Sequence, residues 1–164
     1  MKKILILSDT HSFIDDAIRK YAKSHDEVWH GGDWGDVKIY DELFSINENL
    51  RGVYGNIDGQ DIRSENPKGR CFTVENVKVL VTHIGGYPKR YKPDFKERII
   101  KEKPNLVITG HSHILKVVYD QQLKHLHVNP GAAGIYGFHK VRTMVSIELN
   151  NGKIENAKII ELKK

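Results

Sequence analysis

Five short blocks of this chain carry residue types and spacings that could do chemistry: Asp9-Thr10-His11, Gly32-Asp33, Gly55-Asn56-Ile57-Asp58, His83 and Gly110-His111-Ser112-His113. With Asp58 set aside, they offer two carboxylates, one carboxamide and four imidazoles, with no thiolate among them. Mixed oxygen and imidazole donors suit a pair of divalent metal ions in one site, and the chemistry such a pair performs is hydrolysis of a phosphate ester. Asp9 and His11 can address one ion only if the backbone bends between them, because a straight strand would point both side chains the same way. Asp33 follows two glycines, which let the chain turn tightly enough for a carboxylate to reach two ions. Asn56 offers a neutral oxygen and a donor amide, although a Gly-Asn pair also makes an ordinary turn. Asp58 has two readings, a carboxylate that orients a neighbouring ligand or one that stabilises its own turn. His111 and His113, flanked by glycine after an apolar strand, are the most specific pair, being hard to justify as core packing.

The elements that must position these residues follow from the hydrophobic pattern. Lys2 to Leu7 reads as a buried strand ending in Ser8-Asp9, and Glu27 to His30 and Leu50 to Tyr54 as strands that run into Gly31-Gly32-Asp33 and Gly55-Asn56. A helix from Ile14 to Lys23, with Ser12 as its N-cap, follows the first of them. In the second half, Arg70 to Glu75 and Val77 to Thr82 flank Asn76 as a hairpin whose second arm ends at His83. A helix from Pro93 to Lys103 precedes the strand Leu106 to Thr109, which leads into Gly110-His111. Strands at 117–119, 126–128, 143–149 and 153–160 complete the pattern, the last pair joined by an Asn151-Gly152 turn. Every chemical block falls at a strand end, where open α/β sheets gather their binding residues. The expectation is an α/β layered domain with two sheets, one domain over residues 1–164.

Composition narrows the class. Apolar residues make up 39% of the chain, enough for an ordered core. No apolar run approaches the ~20 residues needed to cross a bilayer, and the run before Ser8 is too short for a signal peptide, so a soluble, cytoplasmic protein with no membrane partner is expected. Cys71 is alone, which excludes a disulfide framework and a thiolate zinc site. The formal charge of +5 could suit nucleic acid, yet the lysines are spread and form no recognisable binding module, so no nucleic-acid partner is expected.

In the order D-x-H, G-D, G-N, H and G-H-x-H, the blocks resemble the calcineurin-like metallophosphoesterase superfamily over residues 2 to about 149. The Gly55-Asn56-Ile57-Asp58 and Asn129-Pro130-Gly131-Ala132 segments look like its small bacterial and archaeal phosphodiesterases of the YfcE type. The resemblance implies a layered αββα sandwich with two mixed β-sheets. It also implies one ion held by Asp9, His11, Asp33 and His113 and a second held by Asp33, Asn56, His83 and His111, with Asp33 bridging and Asp33, Asn56 and Asp58 in the catalytic apparatus. Mn²⁺ is the ion it favours, while Ni²⁺, Co²⁺, Fe²⁺ and Zn²⁺ suit the same donors. By the same resemblance the reaction is attack by a metal-activated hydroxide on a small phosphate ester, most simply a diester. A phosphomonoesterase, or a non-catalytic scaffold like the retromer subunit of this fold, are the alternatives, and a homo-oligomer is a family tendency.

Two departures from the pattern bear on chemistry. Many members carry a histidine directly after Gly-Asn, placed to protonate the leaving group, where this chain has Ile57; and Ile84 follows His83 where glycine is common. Downstream, Gly85-Gly86-Tyr87 with Lys89, Arg90 and Lys92 reads either as a rim that contacts substrate phosphate or as an exposed polar loop. His25, His30, His125, His127 and His139 match no block and read as surface or structural, with His127 nearest the site.

Overall fold

The computed structural model describes residues 1–164. In chain order the elements are β1 (Lys2–Leu7), α1 (Asp16–Ser24), β2 (Glu27–His30), α2 (Val37–Ile46), β3 (Leu50–Gly52), α3 (Gln60–Arg63), β4 (Gly69–Val74), β5 (Val77–Thr82), α4 (Pro93–Glu102), β6 (Leu106–Ile108), β7 (Leu115–Asp120), β8 (His125–Pro130), β9 (Val141–Asn150) and β10 (Lys153–Lys163). They build two five-stranded sheets, ordered β10-β9-β1-β2-β3 and β4-β5-β6-β8-β7. Both are mixed: β1, β2 and β3 run parallel while β9 pairs antiparallel with β1 and β10, and β5, β6 and β8 run parallel between antiparallel β4 and β7.

Strand periodicity sorts the core into layers. In β1, Ile4 and Ile6 turn inward to meet Val79, Val81, Leu106 and Ile108 of the other sheet, whereas Leu5 and Leu7 turn outward to Ile18, Leu43 and Ile62 of the helices. On the opposite side, Leu80 and Val107 carry Phe95 and Ile99 of α4. The result is the expected αββα sandwich. Full burial of each such aliphatic side chain stabilises the fold by about 1.5–3 kcal/mol, an upper figure because unfolded chains already hide part of this surface.

The helices form where capping and spacing agree. Asp15, not Ser12, caps α1, its side chain accepting the Ile18 amide while Ile18 and Ala22 face the sheet one turn apart. Ser12 is instead in the left-handed region, and its hydroxyl accepts the Asp36 amide at 2.8 Å, binding the loop after β1 to the start of α2. α2, for which the sequence reading assigned no element, is capped by Asp36 and buries Ile39 and Leu43. Pro93 opens α4, and Lys103 closes it in the left-handed conformation. β3 ends two residues earlier than expected because the Tyr54 amide turns away to the Pro67 carbonyl. The carboxyl ends of β1, β2, β3, β5 and β6 lie along one edge of the sandwich, and each leads into one of the chemical blocks. No helix is long and apolar enough to cross a membrane.

Candidate metal centre

The turns at these strand ends are bent as the donor spacing demands. Asp9, His11, Asp33, His111 and His113 all have φ between 44° and 73°, a conformation that non-glycine residues hold only where the surroundings impose it. Neighbouring glycines make the close packing feasible: a Cβ on Gly32 would sit 2.6 Å from His83 Nδ1, and one on Gly55 would collide with the Asp33 carboxylate.

Six of the predicted side chains fall into two groups of three, Asp9 with His11 and His113, and Asp33 with His83 and His111; within each group the ligand atoms lie within 4.8 Å of one another. Asp33 faces both groups, its Oδ2 being 3.4 Å from His11 Nε2 and 3.2 Å from His83 Nε2. The seventh, Asn56, places Oδ1 3.1 Å from His83 Nε2 and 3.1 Å from His111 Nδ1.

Supporting contacts decide which lone pairs remain. Asp9 Oδ2 accepts the Ser8 hydroxyl at 2.6 Å and the His111 amide at 3.1 Å, leaving Oδ1 buried without a partner beside His11 Nε2, which is also buried and unpartnered. His83 donates Nδ1–H to the Gly31 carbonyl at 2.7 Å, so Nε2 presents its lone pair to the Asn56 oxygen. Lone pairs facing lone pairs in a buried cluster are what a cation relieves, so the donor set fits divalent ions. The electrostatics agree. Burial alone would raise the Asp9 and Asp33 carboxyls, but His11, His113 and His83 outweigh it and hold both far below the usual carboxylate range. Asp33, then Asp9, raise His11 to about 9.

Residues that sequence reasoning left out of the chemistry complete the surround. Fully buried His30 accepts the Gly32 amide on Nδ1 at 3.0 Å, and its Nε2 meets the Thr10 hydroxyl at 3.0 Å; burial pushes it down to about 3. It therefore braces the Gly32-Asp33 turn as a neutral ring. Asn129 Nδ2 donates to the Gly110 carbonyl at 3.0 Å and to Ser112 Oγ at 3.1 Å, fixing the loop that carries His111 and His113. Tyr136 stacks on His11 at 4.9 Å, and His139 meets His113 edge-on at 5.4 Å. Their sequence signals were faint, a histidine before Gly-Gly and an Asn-Pro-Gly turn. The Asp58 carboxylate touches no ligand side chain: Oδ2 accepts the Asp33 and Gly55 amides at 2.9 and 2.7 Å, and Oδ1 the Gly35 amide at 2.9 Å. The bond to Gly55 closes the turn that carries Asp58 itself, and the bond to the Asp33 amide reaches the backbone of a candidate ligand, so the geometry carries a feature of each reading. Ile57 points a half-exposed aliphatic chain outward, while its amide donates to Asp33 Oδ1 at 3.1 Å.

Comparison with known proteins places this architecture. Residues 1–152 match the calcineurin-like phosphoesterase superfamily domain. The chain belongs to that superfamily. It is 26% identical over 134 residues to a probable metallophosphoesterase of Methanothermobacter thermautotrophicus, an alignment covering 77% of this chain and 74% of the relative. A structure described as a novel archaeal phosphodiesterase superposes with a TM-score of 0.72 at 25% identity, covering 98% of this chain and 99% of the other. Vps29 of Entamoeba histolytica, solved in complex with zinc, superposes with a TM-score of 0.75 at 16% identity and 98% coverage of both chains, a likeness of fold. Superfamily membership and the two donor groups together make this a metallophosphoesterase-type centre for divalent metal ions.

Proposed function

We propose that this member of the superfamily hydrolyses phosphate diesters at a dinuclear centre. Asp9, His11, Asp33 and His113 would hold one ion and Asp33, Asn56, His83 and His111 the other, with Mn²⁺ the favoured metal. The observation that carries the reading is the single Asp33 oxygen set between two donor groups. When bound, two such ions neutralise phosphoryl charge and lower the pKa of water toward ~7. The chain's own part is to present converging lone pairs at strand ends, to fix the His83 tautomer through Gly31, and to offer the Asn56 amide to a phosphoryl oxygen.

Space favours a diester over a monoester. A cavity of about 400 Å³ lies on one side of the His111–Ile114 segment, and a second of about 670 Å³, reaching Tyr136 and Phe138, lies on the other. Both share His111, Ser112 and Ile114, so each ester arm has room beside the centre. The test is turnover of bis(p-nitrophenyl) phosphate against p-nitrophenyl phosphate by metal-stripped protein reloaded with Mn²⁺, Ni²⁺ or Zn²⁺, with His83→Ala as control. Diester turnover that requires metal and disappears in the control is expected. Preferential turnover of the monoester would replace the reading with a phosphomonoesterase, and metal binding without turnover of either would favour the scaffold role.

A further inference from the structure

The smaller cavity has a charge character that a generic second ester arm does not explain. Its lining includes Lys92 and Lys116 and no aspartate or glutamate. The two lysines come from different elements, one at the start of α4 and one on β7, so their sharing of one cavity lining is a product of the fold and was not visible as a basic run in sequence. His127 at the cavity wall adds no charge at neutral pH, because burial holds it at about 4 and its Nδ1 is engaged by the Tyr91 hydroxyl at 2.8 Å.

One lysine has an orienting side-chain contact, and the other a backbone tie. Lys116, though exposed, places its Nζ 4.9 Å over the Tyr87 ring, a cation–π contact between two residues of the cavity lining. The loop carrying Tyr87 is closed by the Lys92 amide on the Gly85 carbonyl at 2.9 Å and by the Arg90 amide on the Tyr87 carbonyl at 2.8 Å. Lys89 and Arg90, read from sequence as part of the same rim, are exposed and lie outside the cavity lining.

Resting on the diesterase reading, we propose that Lys92 and Lys116 select diesters whose retained arm carries a second phosphoryl group, which the two ammonium groups bind at the end of the cavity away from the scissile phosphorus. Two compact cations from separate elements suit a tetrahedral dianion better than a planar carboxylate, for which a guanidinium fork would be the natural partner. At about 400 Å³ the cavity has the volume of a small-ligand site, large enough for a sugar-sized spacer between the two phosphorus atoms. Tyr87 and Ile84 supply an apolar wall for that spacer.

The test compares two esters with the same p-nitrophenyl leaving group: thymidine 5′-(p-nitrophenyl phosphate) and the same compound bearing a 3′-phosphate. In the Mn²⁺-loaded wild type the 3′-phosphate should raise kcat/KM about tenfold, mainly through KM, the scale of one charge-assisted hydrogen bond. In Lys92→Gln/Lys116→Gln the ratio between the two esters should fall to about one. A second reading is calorimetric: thymidine 3′,5′-bisphosphate should bind wild-type protein more tightly than thymidine 5′-monophosphate by a similar factor, and the double variant should lose that difference. Equal kcat/KM for the two esters, or a preference that survives in the double variant, overturns the proposal while leaving the diesterase reading intact. If neither ester nor bis(p-nitrophenyl) phosphate is turned over, the diesterase reading fails, and equal binding of the two nucleotides then removes the phosphoryl subsite as well.

Discussion

At the scale of single residues, position 57 sets the reactivity to expect. The Ile57 side chain has no proton to give, and it stands beside Asn56 where a leaving-group donor would be useful. Of the imidazoles around the centre, His11, His83, His111 and His113 are the proposed metal ligands, His139 Nε2 donates to the Gly134 carbonyl at 2.8 Å, and His127 is tied to Tyr91. A general acid is typically worth ~10²–10⁴-fold, and the benefit grows as the leaving group becomes more basic. The rate of the loaded enzyme should therefore fall steeply with leaving-group pKa across a series of aryl and alkyl diesters. Ile57→His should flatten that dependence and raise turnover of the alkyl members by about 10²-fold, because residue 57 is half exposed and accepts an imidazole without repacking the core. A wild-type rate indifferent to leaving-group pKa, with chemistry rate-limiting, would show that another group supplies the proton.

At the scale of elements, the centre depends on turns being held at fixed separation, and Asp58 does this for the loops after β2 and β3 by taking amides from both. Asp58→Asn would turn an NH₂ group toward at least one of those amides, donor against donor. The expected outcome is a loss of about 10–100-fold in metal affinity by calorimetry, together with a fall of about 1–3 kcal/mol in unfolding free energy; unchanged affinity would reduce Asp58 to a turn former. The same scale shows what the sequence made legible. The donor blocks could be read because each strand here is a short apolar run that stops abruptly at a polar turn, and because Asp9-x-His11 and His111-x-His113 need bent backbone that the positive φ values supply. α2 escaped although Asp36 and the Ile39/Leu43 pair were available signals, since Val37, Tyr40, Phe44 and Ile46 widen its apolar arc and blur the helical stripe. Ser12 looked like a cap, but its hydroxyl is used by Asp36, some two dozen residues away in sequence. Pairing of β9 with β1, and the placing of Lys92 and Lys116 on one cavity, depend on contacts distant in sequence that no local pattern encodes.

At the scale of the whole molecule, histidines of opposite tendency give stability a pH profile that depends on metal. His30 and His127 are neutral when folded, held by burial at about 3 and about 4, against 6.5 for an unperturbed ring. His25 and His125 are lowered in the same way. Below 6.5 the unfolded chain binds protons that the folded chain refuses, so stability falls with pH from there until the folded values are reached. His11 works in reverse in metal-free protein: Asp33 and Asp9 raise it to about 9, so its contribution is complete below 6.5 and disappears as pH rises through that window. Stripped protein should accordingly be most stable near pH 6.5, declining on both sides. An ion held by Asp9, His11 and Asp33 would take the place of the proton on the alkaline side while His30 and His127 stay as they are, and on the acid side protons would displace the ion from its imidazoles. Urea midpoints measured from about pH 4 to about pH 9 should show an alkaline limb confined to the stripped form and, in the loaded form, an acid limb steepened by loss of the ion. An alkaline decline of equal size in both forms would mean that His11 keeps its proton beside the metal, and would remove it from the ligand set.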